Sequence, residues 1–244
     1  MAVTEIVKSL SMLGAAIAIG LGGIGAGIGI GMSGAAACEG IGRQPKMSSE
    51  LFRIMLIGQA ATSTPPTFAL VVSILLLFGK YEGALLIQGF AALGAGISIG
   101  AGAFASGIGS AFPASRACEA IARQPHLRGP FTTLMLLGQA VSQTPVIFSL
   151  MVSFMLMFMP AKPDAGFVEF VAVISAGICM GFGAMGPSIG SGIAAESAII
   201  GARHHREPAK AVGLLTRVML LGQAVAQSTS IYALVVALVL IMLV

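Results

Sequence analysis

Six long apolar stretches, at 9–38, 52–79, 84–118, 130–160, 167–201 and 212–244, leave this chain little choice of environment. A helix needs ~20 apolar residues to cross a hydrocarbon core ~30 Å thick, and every stretch exceeds that length. Inside hydrocarbon only helices and closed barrels satisfy all backbone N–H and C=O groups. None of the stretches alternates with period two, so all six are read as helices. Charged residues make up 9% of the chain, against roughly 25% in a soluble domain, and the outer surface of the bundle is therefore expected to face lipid. The formal charge of +4 does not signal nucleic acid, because the basic residues form no patch and are not interleaved with aromatics. The first stretch is read as a span and not as a cleaved signal, whose apolar region runs ~7–15 residues behind a basic segment.

The basic residues are unevenly placed. Arg43, Lys46, Arg53, Arg116, Arg123, Arg128, Arg203, Arg206, Lys210 and Arg217 lie on the side of the short loops joining helices 1–2, 3–4 and 5–6. Only Lys8, Lys80 and Lys162 lie on the other side. Lysine and arginine favour the cytoplasmic face, so the loops are expected in the cytoplasm and both termini outside.

The chain repeats itself. Arg43-Gln44-Pro45 returns as Arg123-Gln124-Pro125, and Cys38-Glu39 as Cys118-Glu119, each 80 residues on. Gly58-Gln59-Ala60 returns as Gly138-Gln139-Ala140 and again as Gly222-Gln223-Ala224. The third loop departs most, reading Arg203-His204-His205-Arg206-Glu207-Pro208. The expected fold is an all-α membrane protein of six transmembrane helices, arranged as three tandem antiparallel hairpins at 1–82, 83–164 and 165–244. The first helix of each hairpin is crowded with glycine. Gly23, Gly27 and Gly31 stand four apart, as do Gly177 and Gly181. That spacing puts small residues on one face and lets neighbouring backbones come close. A phosphate-cradling loop would follow a strand and end in Lys-Ser/Thr, and neither condition is met.

On these motifs the chain resembles the F-type ATP synthase c subunit, or proteolipid, in a triplicated form. The likeness covers nearly the whole chain, and 219–229 is similar to sodium-binding members. The resemblance implies a ring with first helices inside and second helices outside, built with other c-type hairpins. It implies that the loops at Arg43, Gln44, Pro45, at Arg123, Gln124, Pro125 and at Arg206, Glu207, Pro208 contact central-stalk subunits. It also implies an a-type stator subunit as partner and the plasma membrane of a bacterium or archaeon as location. No cofactor or bound metal is implied beyond Na⁺ or H⁺ as the ion moved by the complex.

One family feature is missing. Sodium-type members carry an ion-binding Asp or Glu four residues after the Gln of Gly-Gln-Ala, one helical turn away on the same face. Here those positions are Ser63, Gln143 and Gln227, beside Thr64, Thr144, Ser228 and Thr229, and no Asp or Glu occurs at 52–77, 131–161 or 211–244. The first-helix glutamine of sodium-binding members is replaced by Ile30, Ser110 and Ser191. A carboxylate can carry a proton or Na⁺ through lipid as a neutral unit. A carboxamide has no titratable proton, and a cation held by Gln143 or Gln227 would keep its charge in hydrocarbon at a cost of several kcal/mol. These positions are therefore expected to carry no ion in the ordinary way. Glu196 is the one acid near membrane depth, read either as a partner of a loop arginine or a snorkelling residue, or as a displaced ion carrier. Pro65, Pro66 and Pro145 lie just past the altered positions and are expected to bend copies one and two. Cys38, Cys118 and Cys179 show no metal or disulfide spacing. Two roles stay open: a rotor-ring subunit working beside carboxylate-bearing hairpins, or a non-transporting relative forming a structural ring, scaffold or pore. No nucleophile–base pair suggests an enzyme.

Overall fold

The computed structural model describes residues 2–79, 85–160, 163–205 and 207–243. The expected boundary between 82 and 83, and the side chains of Lys80, Lys162 and Arg206, lie outside them. The chain is helical throughout its spans. α1 (Ala2–Arg43) turns through a short 3-10 segment at Pro45–Met47 into α2 (Ser48–Thr62) and α3 (Thr64–Phe78). α4 (Leu86–Arg123) turns at Pro125–Leu127 into α5 (Arg128–Ser142) and α6 (Thr144–Met157). α7 (Phe167–His204) is followed by α8 (Pro208–Met242). Among the described residues six helical spans are long and apolar enough to cross a membrane, so the chain is an integral membrane protein.

The first helices outrun their apolar stretches. α1 has 42 residues, ~63 Å at 1.5 Å per residue, so its ends project beyond any bilayer. Its last turn is supported by an ion pair one turn apart, Glu39 with Arg43 at 3.6 Å, and α4 repeats this with Glu119 and Arg123 at 2.9 Å. Proline then stops each helix from continuing and opens the turn, at Pro45 and Pro125.

The expected bends are breaks. The second spans of hairpins 1 and 2 are each divided, at Ser63 and Gln143, just before Pro65 and Pro145. The second span of hairpin 3 has Thr229 where the others have proline, and α8 runs unbroken through 35 residues. A proline in a helix interior withholds the N–H that would bond the carbonyl four residues back. Proline does not break every helix: α4 and α7 run unbroken past Pro113 and Pro187.

Two layers result. α1, α4 and α7 lie side by side with α4 in the middle, and the second spans pack on one side of that layer. Glycine sets the spacing. A methyl group at Gly14 would lie 2.5 Å from the Ala92 carbonyl oxygen, and one at Gly107 would lie 2.6 Å from the Ala26 nitrogen. Across the next joint a methyl at Gly94 would lie 2.6 Å from the Val173 oxygen, and methyls at Gly177 and Gly192 would strike the backbones of Gly94 and Gly109. Backbones are in direct contact along both flanks of α4. The outer flank of α1 has no such neighbour: Gly20, Gly23, Gly27 and Gly31 meet nothing within 4 Å.

Candidate functional site

The glutamines of the repeated Gly-Gln-Ala tie second helices to first helices. Gln59 Nε2 donates to the Ile30 carbonyl at 3.2 Å, Gln139 Nε2 to that of Ser110 at 3.1 Å, and Gln223 Nε2 to that of Ser191 at 2.9 Å. Ile30, Ser110 and Ser191 are the first-helix positions singled out from sequence, and the structure sets each at the level of its motif. Gln139 and Gln223 are 1% and 0% exposed.

The same amides also cross between hairpins. Gln139 Nε2 reaches the Gly58 carbonyl at 3.0 Å and Thr62 Oγ1 at 3.3 Å in hairpin 1. Gln223 Nε2 reaches the Gly138 carbonyl of hairpin 2 at 3.4 Å. Among the described residues the Gln59 side chain, in the first hairpin, makes one bond, to Ile30. Sequence reasoning missed this crossing role of Gly58, Thr62 and Gly138. The signal was the glycine repeated before each glutamine, which leaves its own carbonyl open to a neighbour.

One turn on, the altered ion positions behave alike in hairpins 2 and 3. Gln143 Nε2 donates to the Ala61 carbonyl at 2.8 Å. Gln227 Nε2 donates to the Val141 carbonyl at 2.8 Å and to Ser191 Oγ at 3.1 Å. Ala61 stands four residues before Pro65, and Val141 four before Pro145. These are the carbonyls for which proline supplies no helical N–H. The amide of the following hairpin supplies the missing donor in both cases. Val225, the equivalent residue of hairpin 3, precedes Thr229, which has an N–H, and its carbonyl also receives Ser228 Oγ at 2.7 Å. The Ser63 hydroxyl folds back on the Ala60 carbonyl of its own helix at 2.8 Å.

The remaining polar residues are locally placed. Thr144 Oγ1 donates to the Ala140 carbonyl at 3.5 Å and Thr229 Oγ1 to that of Ala226 at 3.0 Å. Thr64 is the first residue of α3. At each altered position the chain presents neutral N–H and O–H donors to carbonyl oxygens, where a carboxylate would need a cation. The Oε1 atoms of Gln139, Gln223 and Gln227 are buried without a protein partner. Glu196 is not part of this level. Its Oε1 accepts from Arg116 Nε at the loop end, the arginine-partner alternative among those the sequence left open.

Several charges at the loop end are engaged in ion pairs. Glu119 accepts from Arg116, Arg123 and Arg203, each at 2.9 Å. Arg128 meets Glu50 of the preceding hairpin at 3.2 Å, and Lys210 meets Glu207 at 2.7 Å. Gln124 Nε2 donates to the Arg203 carbonyl at 3.0 Å, joining loops 2 and 3. Gln44, Pro45 and Pro125 shape their turns through backbone bonds, Gln44 N to the Gly40 oxygen at 2.9 Å and Gln124 N to that of Ala120 at 2.9 Å.

Comparison with known proteins agrees with this geometry. The family model of the ATP synthase c subunit matches three times, over 13–76, 93–156 and 174–240. The ATP synthase c subunit of Thermotoga petrophila is 42% identical over 83 residues, 34% of this chain and 85% of that protein. The ATP synthase c subunit of Carboxydothermus hydrogenoformans is 44% identical over 72 residues, 30% of this chain and 88% of that protein. That of Natranaerobius thermophilus is 42% identical over 85 residues, 35% of this chain and 95% of that protein. Each relative is thus about one hairpin long, and the present chain holds three such units. The chain belongs to the ATP synthase c-subunit family, as a fusion of three c hairpins and a non-catalytic membrane component of the rotor.

Proposed function

We propose that this chain supplies a rotor ring with three consecutive hairpins, 1–82, 83–164 and 165–244, that turn with the ring but carry no ion themselves. The observation that carries the reading is the pair of bonds from Gln143 to the Ala61 carbonyl and from Gln227 to the Val141 carbonyl. An amide N–H meets each carbonyl, so both positions are neutral without a bound proton or Na⁺. Such a station passes the lipid-facing part of a turn without exposing a charge, and an intramembrane charge is costly. Ion transport then rests on carboxylate-bearing c hairpins in the same ring, with fewer ions moved per turn.

Ring membership is supported by the bare flank of α1. Gly20 and Gly27 meet nothing, whereas Gly100 and Gly107, their counterparts 80 residues on in α4, touch the α1 backbone. A further hairpin fits that flank. In this reading the loops at 43–45, 123–125 and 206–208 face the cytoplasm and the central stalk, following the ten-to-three placement of basic residues. Both termini are outside, an a-type stator subunit faces the second helices, and the membrane is a bacterial or archaeal plasma membrane.

Tagging this chain, purifying it gently in detergent and identifying the co-purifying proteins by mass spectrometry tests the reading. Catalytic ATPase subunits, a stator subunit and a carboxylate-bearing c-type hairpin are expected. A ring of this chain alone would sink the transport role and leave a structural one. At the site itself, Gln227→Glu is expected to become labelled by a hydrophobic carbodiimide, with Na⁺ protecting it. Labelling that Na⁺ leaves unchanged would mean that the surrounding hydroxyls and carbonyls are no sodium site.

A further inference from the structure

At the loop end of the first-helix layer the two joints between hairpins are built differently. The joint between α4 and α7 is filled by charge: Arg116 bonds Glu196, and Arg203 bonds Glu119. Taking α4 as 80 residues after α1 and α7 as 81 after α4, the register of the Gly14–Gly96 and Gly94–Gly177 contacts, the counterparts between α1 and α4 are small. Ala36 stands for Arg116, Ser115 for Glu196, and Ala122 for Arg203. All three line a cavity of about 400 Å³ between α1 and α4. That volume falls within the roughly 300–1,000 Å³ of small-ligand sites.

The lining changes character along the helices. Met32, Ala35 and Ala36 form the end nearer the membrane interior, while Glu39, Arg43, Gln44, Glu119 and Arg123 form the end nearer the loops. The cluster around the cavity holds four guanidiniums (Arg43, Arg116, Arg123 and Arg203) and three carboxylates (Glu39, Glu119 and Glu196). Glu119 is already engaged by three arginines, and among the described residues the one ion pair of Arg43 is a 3.6 Å contact to Glu39. One positive charge is left over beside a space with an apolar end. We propose that this cavity is a phospholipid site: the phosphate monoanion bonds Arg43 and Arg123, and the glycerol ester end lies against Met32, Ala35 and Ala36. Arginine pairs with phosphate through parallel N–H donors, and basic pockets between membrane helices hold anionic headgroups. The apolar end selects a lipid over a free anion. Such a site needs the helices to span a membrane and is independent of whether any hairpin carries an ion.

The test is retention of phosphatidylglycerol by the full chain after washing in detergent, read by native mass spectrometry. Wild type is expected to keep one lipid per chain. The double variant A36R/S115E, which gives this joint the charged pair of the next, is expected to keep none at that position. R43Q alters an exposed residue whose ion pair with Glu39 is solvent-exposed and adds little to stability, and should lower retention about tenfold, the scale of one charge-assisted hydrogen bond. Equal retention in wild type and R43Q overturns the site, as does no retained lipid in wild type. Full displacement by millimolar inorganic phosphate, or equal retention of uncharged diacylglycerol, overturns the assignment to a phospholipid phosphate.

Discussion

The residue that sets the character of this chain is glutamine. A carboxamide offers two N–H donors and a carbonyl acceptor without charge, so it joins helices in lipid where a carboxylate would need a counter-ion. Gln139 is the most heavily used, with three acceptors within 3.3 Å. Removing it takes away three bonds between helices inside the bundle, each a net contribution of about 0.5–1.5 kcal/mol. Gln139→Met keeps length and apolar packing and should lower the thermal unfolding midpoint in detergent clearly. Gln59→Met, which loses one bond at the open edge, should lower it less. Equal effects would contradict a crossing role for Gln139. The need for polar residues at 59, 139 and 223 was legible from their recurrence. Their partners were not, because a helical period shows which face a residue occupies and not which neighbour covers that face.

At the scale of the element, the broken second spans and the glutamines that follow them form one device. Pro65 and Pro145 leave carbonyls at Ala61 and Val141 without a helical donor, and Gln143 and Gln227 of the next hairpins fill those places. Pro145→Ala restores the N–H that Val141 lacks, so Gln227 should matter less in that background. A double-mutant cycle of Pro145→Ala with Gln227→Ala is expected to show coupling of at least about 0.5 kcal/mol. Pro65→Ala with Gln227→Ala, which share no partner, should add within error. The bends themselves were expected from the prolines, and α8, with Thr229 at the matching position, runs unbroken, as α4 and α7 do even past Pro113 and Pro187. What escaped sequence reasoning was the link between a proline in one hairpin and a glutamine about 80 residues later, since nothing local connects them. The ends of the first helices were also underestimated. Glu39–Arg43 and Glu119–Arg123 pairs extend them past the apolar runs, which hydropathy alone does not register.

The whole molecule is a row of three first helices, α4 covered on both flanks and α1 and α7 each on one. Gly177→Val would force apart the α4–α7 joint, where a methyl already strikes the Gly94 backbone, and overpacking of this kind costs about 1–3 kcal/mol or more. Gly27→Val alters a position that meets nothing within the chain. It should leave the unfolding midpoint of the isolated chain unchanged while reducing its co-purification with other c-type hairpins. Loss of stability in Gly27→Val without loss of assembly would remove the argument for a neighbour at that flank. The three-hairpin plan and the layer of glycine-rich helices were both legible in the repeat. The pairing of Arg116 with Glu196 was legible only as a type, an acid near the loops with an arginine to meet, because the sequence does not set the height of one helix against the next.

The distribution of glutamine–proline bonds has a mechanical consequence. Both joints inside the chain carry such a bond, while Ser63 and the Val225 carbonyl, which would face across a joint to another subunit, are each satisfied within their own helix. A ring containing this chain therefore has stiff segments three hairpins long, bounded by joints that lack this bond. Under torque, strain would collect at those boundaries, and it is there that a ring would open, exchange a subunit or yield first.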